Sequence, residues 1–240
     1  MTQFDEIIAN RRSIRHFDAT RPVENAEIEQ MIAAAIEAPS WKNGQTACYH
    51  VVQSPEWMAR LREALAPQNQ ISADGASALI VTTFVSNRSG FERSGEPTNE
   101  LGNGWGIYDL GLHNAFLLLK AADLGIDIIV LGLRNAEKIR STLQIPSEET
   151  IVSVIAVEHR SKDALRPKRK TYVIFTDIIR NEAIISNHLL AVGMHQHVGT
   201  NKEQRNEVQQ NPSRRLPCVF PRGRQSGETD HSIAAWFPKQ

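Results

Sequence analysis

Apolar residues recur at three- and four-residue spacing in several stretches, and this marks the helices. Phe4, Ile7 and Ile8 share one face of an opening helix that stops within 10–13. Ile28, Met31, Ile32, Ala35 and Ile36 define a helix over Asn25–Glu37. Asn25 can cap it, and Ala38-Pro39-Ser40 ends it, because proline disfavours helical geometry in the residue before it. A helix over Glu56–Leu65 begins at Pro55, and a short one covers Ala136–Leu143. The longest helix is expected over Tyr108–Leu124, with Gly125 as its stop. Leu110, Ala115, Leu117, Leu118, Ala121 and Leu124 make it apolar around most of its circumference. One small domain cannot bury so much of one helix, so its outer side points to a subunit interface.

Strands are expected at Tyr49–Gln53, Leu79–Val85, Ile126–Leu131 and Ile151–Val157, which are apolar and rich in β-branched residues. Between the second strand and the long helix, residues 86–106 carry five glycines and a proline and read as a long functional loop. The alternation of helices and strands indicates an α/β or α+β sandwich on a central sheet. After Tyr172 the pattern fades into Asn, Gln, Arg, Gly and Pro, with helical periodicity only near Ile184–Val192. Residues 1–172 are therefore expected to form the domain, and 173–240 a poorly ordered extension.

Composition narrows the function classes. The 240 residues carry 27 basic and 27 acidic side chains, so no broad positive field exists to hold nucleic acid or an anionic membrane. Two cysteines, Cys48 and Cys218, make neither a disulfide framework nor a metal pattern. The first residues lack the charged and apolar regions of a signal peptide, and no apolar run is long enough to span a bilayer as a helix. A cytoplasmic, soluble protein is expected.

Against that neutral background, local basic clusters stand out. Arg11-Arg12-Ser13-Ile14-Arg15 places three guanidinium groups and a hydroxyl within five residues. Such forks match phosphate oxygens, although a solvated basic stretch is an equal alternative. Arg166-Pro167-Lys168-Arg169-Lys170 is a second cluster that could converge on the same dianion or serve as a charged loop. Pro39-Ser40-Trp41-Lys42-Asn43-Gly44-Gln45 offers amides that both donate and accept, suited to a heterocycle edge, or to a plain polar turn. Gly102, Gly104 and Gly106 have the wrong spacing for a dinucleotide loop. His195 and His197 lack a third ligand, so no metal site is expected. No catalytic acid, base or nucleophile stands out.

In this order, four segments resemble the FMN-dependent nitroreductase family in its short bacterial form, over about residues 4–172. They are Arg-Arg-Ser-Ile-Arg-His-Phe (11–17), Ala-Pro-Ser-Trp-Lys-Asn-Gly-Gln (38–45), the run Asp109 to Leu119 with Leu124-Gly125, and Arg166-Pro-Lys-Arg-Lys. The resemblance implies an α+β fold with a mixed central sheet flanked by helices, and a homodimer with the long helix at its core. FMN would lie at the interface. By analogy Arg11, Arg12, Ser13 and Arg15 hold its phosphate and ribityl chain, joined by Lys168 and Arg169. Pro39, Ser40, Asn43 and Gln45 would approach the ring from the partner, and Leu131 and Gly132 would pass beside it. NADH or NADPH would reduce the flavin, and a nitroaromatic, quinone or similar small acceptor would then take the hydride in a second step. A flavin enzyme of other chemistry, such as a dehalogenase or dehydrogenase, and a non-catalytic flavin binder are the alternatives. Glu158 departs from the family pattern, which has a small residue there, and Val173–Gln240 departs from its usual C-terminal arm.

Overall fold

A computed structural model describes residues 1–172, 175–180 and 183–186. The chain divides into two compact units, Met1–Pro167 and Lys168–Gln240.

In the first unit, four strands form one sheet: β1 (Ala47–Val52), β2 (Ala78–Val85), β3 (Asp127–Leu131) and β4 (Glu149–Glu158). Their order is β1-β2-β4-β3, and each neighbouring pair is antiparallel. A parallel neighbour is added at the β3 edge, where Ser13 bridges Ile128, so the sheet is mixed there. Side chains of a strand alternate between its two faces, and the core divides accordingly. Leu79, Val81, Val154, Ala156, Ile129 and Leu131 pack into one cluster with Leu61, Leu65 and Ile139. Ala78, Ile80, Ile155, Val157 and Ile128 pack into another with Ile28, Met31, Leu117 and Ala121.

Helices cover the two faces. The first cluster is closed by α3 (Pro55–Arg62), α4 (Pro67–Ser72) and α6 (Ala136–Leu143). The second is closed by α2 (Asn25–Ile36) and α5 (Gly104–Asp123), while α1 (Gln3–Asn10) lies against α5. The expected α2 is present, but its cap differs: the Glu27 carboxylate accepts from the Glu24 N–H, and Asn25 is already helical. The short α4 escapes the apolar pattern because Pro-Gln-Asn-Gln-Ile-Ser has almost none.

The long helix begins a turn earlier than its periodicity predicts, at Gly104. Gly106 is the reason. A methyl group there would overlap the ring of Phe84, which is buried on β2, so only glycine lets α5 seat this closely on the sheet. The inner side of α5 buries Asp109, Leu110, His113, Leu117 and Ala121. Its outer side leaves Ile107, Tyr108 and Phe116 exposed at 50%, 59% and 41%.

Among the described residues of the second unit, β5 (Asp177–Arg180) pairs antiparallel with β6 (Ala183–Ser186). Most of the expected extension, including His195, His197 and Cys218, lies outside the described residues. Among the described residues no helix is long and apolar enough to cross a membrane.

Two predictions follow from α5. Gly106→Ala forces the Phe84 ring to move in a filled core and should cost about 1–3 kcal/mol, read as a lowered thermal midpoint. If the midpoint is unchanged, the close approach has been misjudged. His113 is buried, with neither ring nitrogen hydrogen-bonded among the described residues. Burial pushes its pKa below the ordinary 6.5, against a smaller upward pull from Asp109. Unfolding restores the ordinary value, so below it the unfolded chain binds the extra proton and stability falls as pH drops. Chemical denaturation between about pH 7.5 and 5.5 should show that fall, and His113→Leu should flatten it.

Candidate functional site

The Arg-rich segment starts where α1 stops. The Arg11 N–H donates to the Ile7 carbonyl at 2.9 Å, closing the last turn. Arg12 folds back, and its guanidinium donates to the carbonyls of Ala9 and Arg11 at 2.6 and 2.8 Å. A cation on carbonyls left over at a helix C-terminus is favourable twice, through hydrogen bonding and through the helix dipole. The chain then runs extended beside β3, and the Ile14 N–H donates to the Ile128 carbonyl at 3.2 Å. Ile14 is buried, while Ser13 and Arg15 on either side of it are exposed.

Arg11 and Arg12 line a cleft of about 530 Å3 between α1, the end of α5 and the start of β3. Arg21, Arg160, His159, Glu6 and Asp127 also line it. Arg160 is committed there: its Nε and Nη2 reach the buried Asp127 carboxylate at 2.8 and 2.6 Å, which raises the Arg160 pKa further. Ser13, Arg15 and the 38–45 segment do not line this cleft. Glu158 is buried next to it in sequence, its carboxylate accepting from the His159 N–H at 2.8 Å.

Farther along β3, Leu131 is buried opposite Val154, whereas Gly132 is exposed and a side chain there would meet open space. Ser13, Arg15 and Gly132 thus sit along one edge of the sheet, with the exposed Val130 between them. Lys168 and Arg169 open the second unit, and both are exposed.

The 38–45 segment forms a tight knot. Trp41–Asn43 makes one turn of 3-10 helix, and Lys42, Asn43 and Gln45 have φ of 48°, 54° and 48°. Inside the knot, the Gln45 N–H donates to Ser40 Oγ at 3.1 Å. Pro39, Asn43 and Gln45 are exposed, and Ser40 is half-buried. Sequence reasoning missed what surrounds it. The Trp41 N–H donates to the Asp109 carboxylate at 3.0 Å, and Ser89 Oγ donates to the same carboxylate at 2.6 Å. The Trp41 and Trp105 rings lie 4.4 Å apart, and Lys42 pairs with Glu92 at 3.2 Å. The signal was present: Asp109 is a lone carboxylate opening an apolar run, and a buried charge needs partners.

The donors available suit a phosphorylated heterocycle. Guanidinium groups and a hydroxyl stand along one edge, and amides and a hydroxyl of mixed character stand in the knot. Among the described residues no group of His, Cys, Asp and Glu is arranged to hold a metal ion.

Known proteins share stretches of this sequence and share its fold. The chain is 36% identical over 75 residues to the CLA biosynthesis enone reductase of Lactiplantibacillus plantarum, spanning 31% of this chain and 35% of that one. It is 34% identical over 88 residues to the putative NAD(P)H nitroreductase YdgI of Bacillus subtilis, spanning 37% of this chain and 42% of the relative. The aligned stretch thus covers well under half of either relative. The crystal structure of the enone reductase CLA-ER superimposes with a TM-score of 0.67 at 23% identity, covering 75% of this chain and 99% of that one. The structure of NfrA2 from B. megaterium does so with 0.62 at 22% identity, covering 76% of each. These likenesses show the fold. The Nitroreductase family pattern matches residues 8–157, the stretch that holds the last turn of α1, the Arg-rich segment, the knot and all of the sheet but the final residue of β4, and the chain belongs to that oxidoreductase family.

Proposed function

We propose that the chain is an NAD(P)H-dependent FMN oxidoreductase that works as a homodimer. The observation that carries this is the Ser13–Ile128 bridge. It fastens the Arg-rich segment along β3, so that Ser13, Arg15 and the open backbone at Gly132 share one strand edge. Arg11, Ser13 and Arg15 would hold the phosphate and ribityl chain, with Arg12 securing the helix end that carries them. When bound, FMN supplies the two-electron chemistry, taking hydride from NADH or NADPH and passing it to a small oxidant. No side chain is assigned as a general acid or base; binding, orientation and exclusion of water are the protein's part.

The homodimer reading rests on the outer side of α5. Ile107, Tyr108 and Phe116 recur at helical spacing in an exposed stripe, with Gly111 and Ala115 between them. A second copy laid on that stripe would bury it, as the chain by itself does not. The partner's 38–45 segment would then supply Pro39, Ser40, Asn43 and Gln45 to the ring.

For the acceptor, nitroaromatics and quinones are the broad class. A conjugated carbonyl is a specific second reading, supported by likeness to an enone reductase in both sequence and fold. Turnover of an α,β-unsaturated ketone against a quinone and a nitroarene, under NADH and then NADPH, separates them.

The purified chain is expected to be yellow or to take up added FMN, and to be bleached by NADH or NADPH without oxygen. A chain that ignores FMN sinks the proposal. Arg11→Ala should weaken FMN binding by about 1.5–3 kcal/mol, the worth of one charge-assisted contact; unchanged affinity removes Arg11 from the phosphate site. Phe116→Glu should shift the chain towards monomer in sedimentation and weaken FMN binding with it. A dimer that persists would place the interface elsewhere.

A further inference from the structure

We propose that Asp109 is a positioning residue: its buried carboxylate holds the 38–45 segment in the one backbone form that can meet the flavin. This deepens the reading of that segment as part of an FMN site and rests on it.

Lys42, Asn43 and Gln45 all have left-handed backbone, with φ of 48°, 54° and 48°. Residues with a Cβ pay for that conformation, and several so close together persist only where the surroundings over-determine them. Bonds inside the knot are local. The Asn43 and Gly44 N–H groups donate to the carbonyls of Ser40 and Trp41, and the Gln45 N–H donates to Ser40 Oγ. Local bonds fix a turn but not where it stands on the protein.

Among the described residues, three polar or ring contacts of Trp41 and Lys42 tie the knot to the rest of the fold. The Lys42–Glu92 ion pair has both side chains more than half exposed, so solvent screens it. The Trp41–Trp105 contact is apolar and tolerant of sliding, and the Trp41 indole N–H is buried without a partner among the described residues. The third contact is directional. Asp109, 2% exposed on the inner side of α5, accepts the Trp41 N–H at 3.0 Å through Oδ2. The same oxygen accepts from Ser89 Oγ at 2.6 Å, and Ser89 meets Thr46 Oγ1 at 3.3 Å on the far flank of the knot. One carboxylate oxygen therefore joins α5, the knot and the loop before α5. Helix packing alone does not call for a buried carboxylate, which costs desolvation that an apolar side chain avoids.

The experiment compares the unaltered chain with Asp109→Asn, Asp109→Leu and Asp109→Ala. Asparagine keeps an oxygen able to accept both donors and should behave as the parent. Leucine and alanine remove the acceptor and should release the knot. Without flavin, release should abolish the exciton couplet of the Trp41–Trp105 pair in circular dichroism and speed tryptic cleavage after the exposed Lys42. With FMN, flavin fluorescence quenching should show affinity about tenfold weaker, because the competent form is then a minority. A folded Leu or Ala variant that keeps the couplet, resists trypsin and binds FMN as the parent does overturns the proposal. So does an Asp109→Asn variant that behaves like the removals. Should neither removal fold, amide exchange in the unaltered chain decides: a protected Trp41 N–H supports the hold, and rapid exchange overturns it. If the parent ignores FMN, the flavin reading fails, while the couplet, cleavage and exchange still judge what holds the knot.

Discussion

β2 is buried from Ala78 to Phe84 and β4 from Ser153 to Glu158, on both faces of the sheet. Two adjacent strands with no wet face must be covered twice, and that requirement shapes the first unit. It brings α2 and α5 to one side and α3, α4 and α6 to the other. It also leaves the edges of the sheet as the places where backbone groups remain open. At the β3 edge the Arg-rich segment takes up that opening, through the Ile14 N–H and the Ile128 carbonyl. The candidate site is thus a by-product of closure: donors are carried in on a stretch of chain whose backbone satisfies the sheet.

The two halves of the candidate site are built on different physical terms. Along β3, ordinary extended backbone sets Ser13 and Arg15 outward by alternation about Ile14, at little cost. In the 38–45 knot the backbone is strained, and the surrounding contacts must supply what the turn lacks. A rigid strand edge needs no guardian; the knot does.

Periodicity was enough to place α2, β2, β3 and β4, because their apolar residues answer directly to burial. It misplaced the start of α5, since Gly104 and Gly106 look like loop until Phe84 is brought against them. It passed over α4, whose polar residues have no pattern to read. The candidate donors were legible one by one, as chemistry: the guanidinium groups of 11–15 and the amides of 38–45. Their support was not. Trp41 and Asp109 are 68 residues apart, and Ser89 is 43 residues from Thr46 at the flank of the knot. Long-range pairings of single polar groups leave no period along a chain, and only the oddness of a carboxylate within an apolar helix pointed towards one.

Trp41, Trp105 and Tyr108 form a run of touching rings, with Trp105 and Tyr108 centroids 5.7 Å apart. One end of the run is the knot and the other is the exposed side of α5. A second copy that covered Tyr108 would limit the freedom of Trp105, and through it that of Trp41. Linkage works in both directions. Whatever factor assembly adds to the ordering of the knot, ordering of the knot must add to assembly, so a ligand that grips the knot would also tighten the pair.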